Sequence, residues 1–125
     1  MTKRVLIVDD EADIREVAAL SLEMIAGWHV RTASSGAEGI ALALAEVPDA
    51  ILLDVMMPDM DGPTTYERLR ANTATSGIPV VLLTAKVQAA DRRRFIELGV
   101  AGVLAKPFDP MTLADEVVGV LGWAA

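Results

Sequence analysis

Asp54 stands at the end of the apolar run Ala50 to Leu53, and a second acidic pair, Asp9 and Asp10, ends another such run, Arg4 to Val8. If both runs are parallel strands, three carboxylates meet at one edge of a sheet. Carboxylates that close together repel and raise one another's pKa unless a cation sits among them. Oxygen ligands with no histidine or cysteine nearby point to Mg2+ and not Zn2+. Thr84 closes a third run, Pro79 to Leu83, and Lys106 closes a fourth, Val100 to Ala105. A hydroxyl and an ammonium therefore join the carboxylates at the same edge, which is the equipment for handling a magnesium-bound phosphoryl group.

The chain around these residues supports that chemistry. Pro107 biases Lys106 toward an extended conformation, and a cis bond between them would turn the preceding chain back over the cluster. In the loop Val55-Met56-Met57-Pro58-Asp59-Met60-Asp61-Gly62, a chain leaving Asp54 toward a fixed Pro58 can offer the carbonyl of Met56 as a metal ligand. Gly62 reads as a residue answering a turn requirement. His29, the only histidine, has no catalytic neighbours in sequence and reads as a surface residue. Arg92, Arg93 and Arg94 read as a solvated helix face. Neither glycine-rich phosphate loop pattern is present, which disfavours nucleotide binding by either route.

The elements that must position these residues follow from the pattern. Arg4 to Val8, Ala50 to Leu53, Val80 to Leu83 and Val100 to Ala105 are short and nearly continuous aliphatic runs, the signature of strands buried on both faces. Trp28 to Ala33 alternates more and suits an edge strand beside the first. Between them, Ile14, Val17, Ala18, Leu22 and Ile25 fall at helical spacing with Gly27 at the carboxyl cap. Ser35 with Glu38 makes a capping box ahead of Ile40 to Ala45. Asp109 and Pro110 read as the cap and first turn of the last helix, with Leu113, Val117 and Leu121 on one stripe. Strand followed by helix five times over, with right-handed crossovers, predicts an α/β fold: a doubly wound, flavodoxin-like, five-stranded parallel sheet in order 2-1-3-4-5, helices on both faces. In such sheets ligands bind at the carboxyl ends of the strands where the order reverses, between the first and third strands. Asp9, Asp10 and Asp54 are there.

The 125 residues are one domain's worth, enough to bury about 65 to 70% of the unfolded surface. With no cysteine, disulfides and thiolate metal sites are excluded. The formal net charge of -7 argues against direct nucleic-acid binding. No run of 18 uncharged apolar residues and no secretory signal pattern is found, so a cytoplasmic domain without membrane insertion is expected. The tail Gly119 to Ala125 offers no linker and no second domain, so output is expected through the domain's own surface.

These motifs resemble the receiver domain of bacterial two-component response regulators. The match spans essentially the whole chain: VLIVDDE at 5 to 11, DAILLDVMMPDMDG at 49 to 62, PVVLLTA at 79 to 85 and LGVAGVLAKPFDPMTL at 98 to 113. The resemblance implies that Asp54 accepts a phosphoryl group from the phosphohistidine of a histidine kinase or histidine phosphotransfer protein. It implies that Asp9 and Asp10 organise Mg2+ with Asp54 and the carbonyl of Met56, and that Thr84 and Lys106 hold phosphoryl oxygens. The bond from Lys106 to Pro107 is expected to be cis, and the face built by the fourth helix, fifth strand and fifth helix is expected to meet a downstream partner. Such a domain catalyses its own modification and its reversal without being a conventional enzyme. One departure stands out: Val103 occupies a position in strand five where relatives commonly carry Tyr or Phe.

Two other functions fit part of the pattern. A magnesium-dependent aspartyl phosphatase would place its acidic residues as DxD after strand one and need a substrate cap; here the pair is adjacent and the candidate nucleophile follows strand three. A degenerate receiver that binds partners unphosphorylated would not need every acceptor and metal residue intact, as they are here.

Overall fold

Strands that read as unbroken aliphatic runs need helices on both faces, and the computed structural model, which describes residues 2–85 and 88–123, has that arrangement. β1 (Arg4–Val8), β2 (His29–Ala33), β3 (Ala50–Asp54), β4 (Val80–Thr84) and β5 (Gly102–Ala105) form one parallel sheet in the order β2-β1-β3-β4-β5. They alternate with α1 (Ala12–Ser21), α2 (Gly36–Glu46), α3 (Gly62–Ala71), α4 (Ala89–Leu98) and α5 (Leu113–Leu121). The register pairs Val8 with Leu53, Asp54 with Leu83 and Thr84 with Ala105, so the carboxyl ends of β1, β3, β4 and β5 finish level.

Successive side chains of a strand point to opposite faces, and the core divides accordingly. Leu6, Val8, Ile51, Leu53, Val80, Leu82 and Val103 pack with residues of α2, α3 and α4, among them Ala43, Tyr66, Leu69 and Phe95. Val5, Ile7, Leu52, Val81, Leu83 and Leu104 pack with Ala18, Leu22, Leu113, Ala114 and Val117 on the α1 and α5 side. Asp9, Asp54 and Lys106 continue the second alternation, which is why they leave three different strands yet meet over one face.

The local sequence explains the element ends, with three departures from expectation. Gly27 caps the first helix at φ 71°, but the last turn, Leu22–Ala26, is π-helical. The expected apolar stripe is only partly inward: Ala18, Ser21 and Leu22 are buried, while Val17 and Ile25 are 44% and 48% exposed. Ser21 takes a core position because its hydroxyl finds an acceptor there, the carbonyl of Pro110. The second departure is at α5, which starts at Leu113 and not at Pro110. The Asp109 carboxylate accepts the N–H of Met111 at 2.8 Å and its carbonyl accepts those of Thr112 and Leu113, so this segment is a turn leading into the helix. Third, β5 begins two residues later than its apolar run, after Gly99 at φ 104° ends α4. The capping box holds: Glu38 N–H donates to the Ser35 hydroxyl, and the Glu38 carboxylate reaches back to the N–H of Ser34.

Lys86 and Val87, in the connection from Thr84 to α4, and Ala124 and Ala125 of the tail lie outside the described residues. Among the described residues no helix is long and apolar enough to cross a membrane. Leu82, fully buried against the α2, α3 and α4 side, measures how much the sheet depends on this packing. Leu82→Ala should lower unfolding free energy by about 2–5 kcal/mol, read as a lower urea midpoint with an unchanged slope; a midpoint equal to the native one would contradict the packing described.

Candidate functional site

At the carboxyl ends of β1 and β3, oxygen atoms of Asp9, Asp10 and Asp54 all lie within 4.8 Å of one another. Asp9 and Asp54 are buried, at 0% and 3% exposure, whereas Asp10 is exposed. Lys106 extends from the end of β5 to place Nζ 3.0 Å from Asp9 Oδ2 and 3.2 Å from Asp54 Oδ1. The bond from Lys106 to Pro107 is cis, as expected. Thr84, buried at the end of β4, accepts the Lys106 N–H on its carbonyl at 2.9 Å. The expected residues Asp9, Asp10, Asp54, Thr84 and Lys106 are therefore brought to one sheet edge.

The electrostatics are strained on one side only. Burial, and then the charge of Asp9, push the Asp54 carboxyl above its ordinary range; the charge and hydrogen bond of Lys106 and the backbone N–H of Met56 pull the other way without cancelling the rise. Burial pulls the Lys106 ammonium down, but its hydrogen bond to Asp9 and the charges of both carboxylates outweigh that, and the net shift is upward. One ammonium shared between two buried carboxylates is thus well satisfied, while the Asp54 carboxyl remains raised.

The loop after β3 is built to hold Asp54 at close quarters. Val55 N–H bonds to the Leu83 carbonyl and Gly62 N–H returns to the Val55 carbonyl at 2.9 Å. Gly62 does not answer a turn requirement. It opens α3, and a Cβ there would lie 2.5 Å from the Asp54 carbonyl oxygen, so its need is close approach. Asp61 caps α3 by accepting the Thr64 N–H at 2.8 Å. Met56 is 68% exposed beside the cluster.

Other residues fall as read, with one addition. His29 is exposed at the start of β2, away from the cluster. Arg92, Arg93 and Arg94 are exposed on α4, and Arg92 makes a long 3.4 Å contact to the Val103 carbonyl. Val103 itself is buried, opposite Leu82 in the ladder. Sequence reasoning missed Arg15, whose guanidinium donates to the Asp9 carbonyl at 2.7 Å. Its signal was a cation near the start of a helix, where the dipole disfavours one.

The same fold occurs in known proteins. A family model described as the response regulator receiver domain matches residues 5–118. This chain belongs to the response regulator receiver domain family. The receiver domain is 43% identical over 118 residues to the DNA-binding dual master transcriptional regulator RpaA of Synechocystis, covering 94% of this chain and 48% of that protein. It is 44% identical over 119 residues to response regulator PleD of Caulobacter vibrioides, covering 94% of this chain and 26% of that protein. The chain thus spans about half, or less, of the length of these curated relatives. Among solved structures it resembles the chemotaxis protein CheY4 of Vibrio cholerae, with TM-score 0.88 and 33% identity over 97% of this chain and 100% of the other. It also resembles the N-terminal domain of a response regulator receiver protein from Methanoculleus marisnigri, with TM-score 0.79 and 35% identity over 97% and 98%. Receiver domains are regulators in two-component systems and interact with histidine kinases.

Because the Asp54 carboxyl titrates higher folded than unfolded, its contribution favours folding below the unfolded value and is lost as pH rises through the folded one. At neutral pH without a divalent cation its charge therefore opposes folding. Asp54→Asn should raise the melting temperature of this receiver domain in chelator at pH 7 and remove part of the decline in stability seen as pH rises above the ordinary carboxylate range. Parallel pH profiles for the two proteins would contradict this.

Proposed function

We propose that this receiver domain accepts a phosphoryl group on Asp54 from the phosphohistidine of a histidine kinase or histidine phosphotransfer protein, with Mg2+ held by Asp9, Asp10, Asp54 and the backbone carbonyl of Met56. The observation that carries the reading is the convergence of three carboxylates within 4.8 Å with one ammonium 3.0 and 3.2 Å from two of them. The donor set fits a hard divalent cation: its side-chain donors are all oxygen, and the buried Asp54 carboxylate carries a charge penalty that such a cation relieves. When bound, Mg2+ neutralises oxygens of the transferring group.

The residues of the chain divide the remaining work. A carboxylate oxygen of Asp54 forms the bond to phosphorus while the phosphorus–nitrogen bond of phosphohistidine breaks, its electron pair returning to the imidazole. Lys106, already within hydrogen-bond distance of Asp54, donates to a phosphoryl oxygen once that group arrives. Thr84, at the end of the neighbouring strand, supplies a neutral hydroxyl donor. The acyl phosphate adds about -1.5 to -2 charges to the site, and drawing Thr84 toward it acts on the connection to α4. The response surface in this reading is α4, β5 and α5, offered to a downstream protein. Val103 makes the shift independent of an aromatic ring in β5. Hydrolysis of the acyl phosphate resets the domain, which is therefore a switch and not a conventional enzyme.

Residues 1–125 act as one cytoplasmic receiver unit in this account. Its own surface, on a chain of net charge -7, is assigned neither nucleic-acid binding nor membrane insertion. DNA binding belongs to the name of a relative about twice as long. The test is incubation with acetyl phosphate followed by intact mass. The native protein should gain about 80 Da, one phosphoryl group, only when Mg2+ is supplied, and Asp54→Asn should gain nothing. Labelling that persists in that variant, or in chelator, would sink the assignment.

A further inference from the structure

Asp10 is the one carboxylate of the cluster that is exposed, and no side chain among the described residues is seen holding it in place. Its neighbours are held on both sides. The peptide plane before it contains the Asp9 carbonyl, which accepts Arg15 Nη1 at 2.7 Å. The plane after it contains the Glu11 N–H, which donates to Asp9 Oδ1 at 2.9 Å. The Asp9 N–H is bonded in turn to the Ala33 carbonyl, and Asp9 Oδ2 to Lys106. With both flanking planes fixed, the Asp10 Cα has a single orientation and only its side-chain torsions remain.

Arg15 sits against the ordinary preference of its position. It is the fourth residue of α1, where the helix dipole disfavours a cation. The N-cap residue, Glu11, makes no side-chain cap, so the usual device for fixing this end of a helix is absent. In its place a guanidinium reaches back from the first turn to the strand end that carries the buried aspartate. We propose that Arg15 is a positioning residue for the acidic cluster: by holding the Asp9 carbonyl it fixes the backbone from which the Asp10 side chain reaches toward Asp9 and Asp54. This rests on the reading of the cluster as a divalent-cation site and adds the residue that keeps it assembled.

The sign of one measurement separates positioning from simple charge. Arg15 is a cation near a cation site, so its loss would tighten Mg2+ binding if it acted only through its charge. As a positioning residue, its loss loosens binding. Mg2+ titration by calorimetry of the native protein and of Arg15→Met, which preserves stem length and helix propensity, should show affinity weaker by about 10-fold in the variant. Arg15→Lys, which keeps the charge and a donor, should recover part of the loss, and the Glu11 amide should exchange faster in the methionine variant before any metal is added. Should the methionine variant fail to fold, Arg15→Gln, with a neutral donor on a shorter stem, decides by the same sign. Equal or tighter Mg2+ binding in the variant that folds would overturn the role of Arg15 and leave the metal site standing. Absence of Mg2+ binding by the native protein would overturn the metal reading and this inference with it.

Discussion

The ammonium of Lys106, held 3.0 Å from Asp9 and 3.2 Å from Asp54, is the contact on which the site depends. Two carboxylates buried to 0% and 3% exposure sit side by side at the end of a sheet, and burial of like charges is expensive unless something of opposite sign stands between them. Lys106 can serve both because β5 ends level with β1 and β3 and its side chain continues toward the same face. Asp9, Asp10 and Asp54 contribute three negative charges and Lys106 one positive, leaving -2. A divalent cation is the charge complement of that remainder, and it would also offset the rise of the Asp54 carboxyl, which comes first from burial and then from the charge of Asp9.

Much of this was legible in the sequence because parallel strands covered on both faces have a distinctive pattern. Arg4–Val8, Ala50–Asp54 and Val80–Thr84 contain almost nothing polar until the residue that leaves the sheet, so the functional positions announce themselves as breaks. Less legible was anything decided by a backbone atom. The start of α5 moved because the Asp109 side chain and carbonyl bond into a turn that a cap-and-proline pattern does not distinguish from a helix start. The buried face of α1 shifted because Ser21 can reach the Pro110 carbonyl, a residue 89 positions away. Gly62 was recognised as special for the wrong reason: its constraint is the nearness of the Asp54 carbonyl, which no local pattern records. Arg15 went unnoticed because it acts on a carbonyl and not on a charged side chain.

Signal and stability share the same few connections. Thr84 is bonded through its carbonyl to the Lys106 N–H, so the strand that leads toward α4 and the strand that carries the ammonium are joined next to the cluster. Further along β5, Val103 packs against the α2, α3 and α4 side of the sheet and its carbonyl is touched by Arg92 of α4. In the proposed switch, these contacts join the α4, β5 and α5 surface to the site without an aromatic ring at position 103. At its other end α4 is tied to α3, where Arg70 donates to the Tyr66 hydroxyl and to the Leu98 carbonyl at 3.0 and 3.3 Å.

The central claim is that Lys106 and a divalent cation balance the same carboxylates. Thermal unfolding of native protein and Lys106→Met, each in chelator and in saturating Mg2+, tests it most directly. Without metal the variant should be less stable by on the order of 3 kcal/mol, the cost typical of leaving buried charge unpaired, and Mg2+ should stabilise it by more than it stabilises the native protein. A variant as stable as native in chelator, with the same gain from Mg2+, would contradict the account.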